Sequence, residues 1–214
     1  MKKFIFLLLA AVSLQAAAFA QSDKYAATMQ KNLALFDSAK TAEDFTKLAN
    51  TFERVGDAEK TQWLPYYYAG LALTTAGWMP TLTDKDANAT RINALCDKAE
   101  SIAKTDADKA EILSVRNMAA TQQMLVDPQS RYMSYGATAN QALEKAMKLD
   151  PNNPRLYYLQ GMSLFGTPEQ FGGGKAKAKP VFEKAVELYK QAKPKDLYPR
   201  WGQQQAEDMI KQCQ

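Results

Sequence analysis

The chain has 214 residues, with 27 Lys and Arg against 23 Asp and Glu, and no histidine. Without histidine it lacks the commonest general base and the commonest transition-metal ligand, and two cysteines alone cannot hold a zinc ion. The formal charge of +4, which falls by two if Lys2 and Lys3 are lost, is too balanced to argue for nucleic acid as a partner.

Residues 1–20 read as a separate object. Lys2 and Lys3, an apolar run from Phe4 to Val12 and the small-residue end Ala18-Phe19-Ala20 follow the order of a secretory signal peptide. The run is shorter than the roughly 20 apolar residues that span a bilayer. Gln21 also stands where a lipoprotein would need cysteine. The expectation is a leader cleaved after Ala20, a single helical domain over 21–214, and a periplasmic or secreted product that does not span a membrane.

Helical spacing then recurs along the chain. Met29, Leu33 and Phe36 mark a helix over 25–39. Thr41 and Asp44 read as an N-cap and acidic first turn before the stripe Phe45, Leu48, Ala49 and Phe52, with Gly56 as the stop. A third helix runs from Trp63 to Ala76. Its consecutive Tyr66, Tyr67 and Tyr68 cannot share one face, so some are expected to be partly exposed. Ile92, Leu95, Cys96, Ala99 and Ile102 line a fourth, and Asp106 opens a fifth that breaks near Asp127-Pro128. Acidic pairs such as Asp84 and Asp86, or Asp106 and Asp108, sit where they cap helices. A sixth helix spans 132–149, Pro154 suits the first turn of a seventh, and helices over 175–191 and 201–213 complete an all-α chain.

The stretch LDPNNPRLYYLQG (149–161) supplies a helix stop, a turn and a restart together. Upstream, Ala139, Leu143, Ala146 and Pro151 follow the spacing A-x3-F-x2-A-x4-P with Leu in the Phe place. Beyond it, Tyr157, Gly161 and Leu164 fall on the W, G and Y places of W-x2-L-G-x2-Y, and Ala178, Phe182 and Ala185 repeat A-x3-F-x2-A. These positions resemble the tetratricopeptide repeat, TPR, of period ~34. A poorer copy uses Tyr66, Gly70 and Leu73, then Ile92, Cys96 and Ala99. Gln160 replaces the family's Leu, and the turns at 77–88 and 166–174 are longer than the family's. The resemblance implies a right-handed superhelix of antiparallel helix pairs, about four units, in which each unit touches only its neighbours. The TPEQFGGG turn also resembles exported repeat proteins, among them the T-component family of tripartite transporters.

Carried over residue by residue, the family's concave groove falls on Tyr67, Leu71 and Thr74 in one unit and on Arg155, Tyr158, Met162 and Phe165 in another. FGGGKAKAK (171–179) offers a glycine run and lysines to an anion, but lacks the G-x4-G-K-[ST] spacing and a preceding strand; a flexible turn with solvated lysines is the simpler reading. No catalytic cluster, metal set or cofactor motif stands out. The expected function is a non-enzymatic module that binds a peptide or partner protein in the groove. The alternative is a soluble carrier that closes around a small apolar or amphipathic ligand. Two finer expectations follow from the repeat register. Gly161 should mark a close helix approach while Gly173 tolerates alanine, and Cys96 should be buried and Cys213 exposed, too far apart to bridge.

Overall fold

The structure, a computed structural model, describes residues 23–214. The expected leader and the start at Gln21 lie outside those residues. Every regular element among them is helical. Helix α1 covers 23–38. It is followed by α2 (Ala42–Glu59), α3 (Leu64–Gly77), α4 (Lys85–Ile102), α5 (Asp106–Val126) and the single turn α6 (Pro128–Arg131). A π-helical turn, Tyr132–Gly136, leads into α7 (Ala137–Leu149); then come α8 (Pro154–Gly166), a 3-10 turn (Glu169–Phe171), α9 (Lys175–Gln191) and α10 (Gln203–Gln212). Chain neighbours pack together: α2 on α3, α3 on α4, α4 on α5, α5 on α7, α8 on α9 and α9 on α10, with only a light contact between α7 and α8.

Local chemistry explains the starts. Thr41 and Asp44 form a capping box at α2, and Thr105 and Asp108 form a second at α5. The Asp84 side chain accepts from the Ala87 N–H at α4. Between α7 and α8, Asp150 N–H closes on the Ala146 carbonyl, the Asn153 side chain accepts from Arg155 N–H, and Pro154 takes the first helical position. The stop and restart seen in the sequence are therefore a short inter-helix turn.

Several expectations change. Gly56 does not stop α2, which runs on to Glu59 and ends with Lys60 in the left-handed region. Its lack of a side chain serves packing instead, since a Cβ there would lie 2.7 Å from the Tyr66 ring. Tyr66, Tyr67 and Tyr68 are all buried, because α3 is covered on every side. Their hydroxyls donate to the Asp57 carboxylate, the Glu111 carboxylate and the Leu197 carbonyl respectively. The close approach at Gly161 is present, with a hypothetical Cβ 2.5 Å from the Phe182 ring. Gly173 is equally confined: a Cβ would fall 2.2 Å from the Thr167 carbonyl oxygen and 2.6 Å from that of Leu164. The turn is thus tightly folded rather than loose, and alanine at 173 meets backbone that cannot rotate away.

The largest departure lies between α9 and α10. Trp201 is not helical; residues 192–202 form an irregular strap that returns to the first half of the chain. Tyr68 donates to Leu197 O at 2.8 Å, Tyr198 to Asp108 Oδ1 at 2.8 Å, Trp201 Nε1 to Tyr67 Oη at 2.8 Å, and Arg155 Nη1 to Pro199 O at 3.2 Å. Leu197 holds a φ of 65°, a conformation that costs a branched residue energy and persists only where its surroundings fix it. Neighbour-only contact, as expected of an open repeat array, does not describe this chain.

Candidate functional site

Arg155 and Glu111 form the electrostatic centre under the strap. Glu111, at the start of α5, accepts from Arg155 Nε and Nη2, from Asn153 Nδ2 at 2.5 Å and from the Tyr67 hydroxyl at 3.3 Å. Both side chains are buried, 12% and 4% exposed. Burial by itself would lower the basicity of the guanidinium; the adjacent carboxylate reverses this and holds it well above its usual value. Trp201 stacks its ring near the same guanidinium, 5.9 Å away. The pair is structural: each of the three guanidinium nitrogens donates within the protein, and both carboxylate oxygens accept.

Of the seven groove residues expected from sequence, four are therefore not on a groove. Tyr67, Leu71 and Thr74 are buried in the core, and Arg155 is committed to Glu111 and the strap. The strap bonds to Tyr67 and Arg155, where the repeat resemblance implies an open groove. Tyr158, Met162 and Phe165 stand elsewhere, on the wall of a cavity of about 1010 Å³.

That cavity is walled on one side by α5 (Asn117, Met118, Thr121, Met124 and Leu125), with α6, the π turn and the start of α7 closing one end. Tyr158, Leu159, Met162, Phe165 and the turn through Pro168 and Phe171 make the opposite wall, and Trp78 reaches in from the end of α3. Its volume is in the range of small-molecule and cofactor pockets, roughly 300–1,000 Å³. No lining residue is charged; the polar ones are amides and hydroxyls such as Asn140, Gln129, Ser163 and Thr167. Burial raises the Tyr158 phenol above its usual range, which keeps it neutral.

The exposed large apolar side chains gather here. Trp78, Leu125, Tyr132, Met162 and Phe171 all line the cavity and are 39–73% exposed, while Val126 and Met133 are sequence neighbours of the lining. Water meets a continuous apolar patch at this mouth, the usual mark of a binding surface. The end formed by α6 is held by Arg131, which donates to both oxygens of Asp86 on α4 and to the Gln123 carbonyl on α5. A π turn inside a helical run is a frequent companion of functional sites, and this one sets Tyr132 and Gly136 into the lining.

Sequence reasoning missed most of this wall. Leu125 and Val126 precede the Asp127-Pro128 break, and Phe171 sits in a Gly-rich turn; large apolar residues at helix ends and turns were the available signal. Among the described residues, no group of His, Cys, Asp and Glu could hold a metal ion, and no helix is long and apolar enough to cross a membrane. Both cysteines are free thiols, Cys96 buried and Cys213 half-buried against Phe182 and Met209 rather than fully exposed.

No protein-family model matches the chain, and no curated protein does. Among solved structures, the chain is similar to the HusA haemophore from Porphyromonas gingivalis. The two superpose with a TM-score of 0.80 at 36% identity, over 88% of this chain and 92% of the other. That likeness overturns the expectation of a module for peptides or partner proteins, in keeping with a strap that bonds to Tyr67 and Arg155, two of the expected groove residues. The carrier of a small ligand, held as the alternative, accords with it better. At this identity and coverage, the chain belongs to the family of the HusA haemophore.

Proposed function

We propose that this protein is an exported haem carrier, a binding protein and not an enzyme, that holds the porphyrin in the cavity between α5 and α8. The observation that carries the reading is the apolar, uncharged cavity whose mouth collects most of the exposed large hydrophobic side chains, in a relative of a haemophore. A flat apolar macrocycle removes that surface from water, at roughly 25 cal/mol for each Å². The iron contributes little to the grip. The chain has no imidazole, neither cysteine lines the cavity, and the remaining iron-ligand types on the wall are thioethers (Met118, Met124, Met162) and phenols (Tyr132, Tyr158). The neutral Tyr158 phenol is a poor anionic ligand.

The two carboxylates of the ligand then face the α9 end. There Lys177 Nζ lies 3.8 Å from the place of a Cβ on Gly172, next to the lining residue Phe171. Arg131, at the other end, is already held by Asp86. The helix pairs themselves are proposed to stack as about four TPR-like units in a right-handed superhelix. Two contacts support that register: Gly161 against Phe182, and Gly70 against Val115, Cys96 and Ile92.

Absorbance titration with haemin tests the function. Wild-type protein should bind haemin and metal-free protoporphyrin IX with affinities within about threefold, since a tenfold gap would demand 1.4 kcal/mol from the iron. Met162→Asp and Leu125→Asp, which put charge on the apolar wall, should each weaken both ligands at least tenfold. Lys177→Gln should weaken haemin but not its dimethyl ester. A wild-type chain that binds neither porphyrin, or cavity variants that bind as well as wild type, would sink the reading.

A further inference from the structure

The cavity lies where the two halves of the molecule part. Helix α8 meets α5 through its first turn, with Asn153 and Arg155 on Glu111. Leu156 and Leu159 still join the core that α5 shares, and toward the far end of α8 residues of both helices line the cavity. The hydrophobic core divides at the same place. One large cluster runs from α1 to the first half of α8, and two small ones, Ala178-Phe182-Met209 and Ala185-Tyr189-Ala206, belong to α9 and α10. Tyr158 packs against all three clusters and also lines the cavity. Its ring is 6.3 Å from that of Trp201, in edge-to-face contact.

We infer that the strap is a clasp that sets the width of the ligand cavity, with Trp201 as its positioning residue. Trp201 is not in the cavity lining. It ties α3 to the α9–α10 half by donating to the Tyr67 hydroxyl while its carbonyl accepts from Tyr189 at 2.9 Å. Its ring backs Tyr158, whose other side is ligand wall. The Arg155–Glu111 pair joins the start of α8 to α5 and is the fulcrum, and the strap resists rotation of α8–α10 about it. Among the described residues, the strap supplies three of the hydrogen bonds that tie α8–α10 to α3 and α5, and a fourth holds it to Arg155, so loosening it lets the α8 wall move away from α5. This rests on the reading of the cavity as the haem site.

Trp201→Phe keeps an aromatic ring behind Tyr158 but removes the indole N–H, and Tyr68→Phe removes only the hydroxyl that holds Leu197. Neither change touches the cavity. In both variants, with circular dichroism unchanged at the assay temperature, the dissociation rate of haemin by stopped flow should rise about fivefold or more. Linkage requires the converse as well: saturating protoporphyrin IX should slow hydrogen exchange of the wild-type Trp201 indole N–H more than that of α2 amides, which lie away from the clasp. Folded variants that release haemin at the wild-type rate, with an indole no better protected than α2, would overturn the clasp while leaving the haem site standing. Wild-type protein that binds no haemin would overturn both.

Discussion

An added methyl at Gly161 would lie 2.5–2.9 Å from ring atoms of Phe182, which is itself wholly buried and cannot swing aside. Overpacking of this kind costs ~1–3 kcal/mol, so Gly161→Ala should lower the melting temperature clearly. Gly166, five residues on, has nothing within 4 Å of its Cβ position, and Gly166→Ala should be neutral or slightly stabilising by restricting the unfolded chain. Differential scanning fluorimetry on the pair separates packing from backbone freedom; equal shifts would contradict the geometry. The ion pair behaves differently because it can be lost in two ways. Arg155→Met leaves the Glu111 carboxylate buried without its partner, a loss of about 3–5 kcal/mol, whereas adding Glu111→Leu should recover part of it. Urea titration of the single and double variants reads this directly, and a double variant weaker than the single would refute it. The thiols report burial too. Burial pushes the Cys96 thiol up to about 12, so it stays protonated and enclosed, and an alkylating reagent at pH 8 should label only Cys213 until the chain is unfolded.

At the scale of elements, the caps carry a pH signature. The Asp44 carboxyl is held below its ordinary value of 3.8, first by the Thr41 hydroxyl and then by the N–H groups of Lys40 and Thr41. A folded value below the unfolded one means the cap contributes fully above the unfolded value and is lost as pH falls through the folded one. Asp44→Asn should therefore flatten the acid limb of the stability curve below about pH 4, read by melting at stepped pH; an unchanged limb would remove Asp44 from the acid response. These caps, and the Pro151-to-Pro154 restart, were legible in the sequence because each rests on residues within four positions of one another. The same locality explains the failures. Gly56 and the three tyrosines were misjudged because what covers them arrives from elsewhere: Tyr66 over Gly56, Leu197 over Tyr68, Trp201 over Tyr67. The cavity was half visible for a related reason. Tyr158, Met162 and Phe165 lie on one helix whose spacing could be read, but Leu125, Tyr132 and Phe171 come from two breaks that only the fold brings together.

For the molecule as a whole, the strap changes how the chain should unfold. An array whose units meet only their neighbours has stability close to a sum over units and frays from its ends. Here Tyr67 bonds to Trp201 and Tyr68 to Leu197, partners separated by 134 and 129 residues, so the last third of the chain is tied back to α3. The α9–α10 half has only small clusters of its own and borrows rigidity from α3 and α5 through those bonds. The intact protein should consequently lose its helices in one cooperative transition, with amides of α3, α5, α8 and α9 sharing one level of protection against hydrogen exchange. A chain ended after Gln191 lacks the strap and α10. It uncovers the apolar faces of Tyr67, Tyr68 and Phe182 as well, so α8 and α9 should exchange well before α2–α5. If the shortened chain kept uniform protection, the strap would be an ornament on a self-sufficient stack. If the intact chain frayed from α10 inward, the long-range bonds would contribute too little to join the halves, and the cavity between them would have to be held by the first turn of α8 alone.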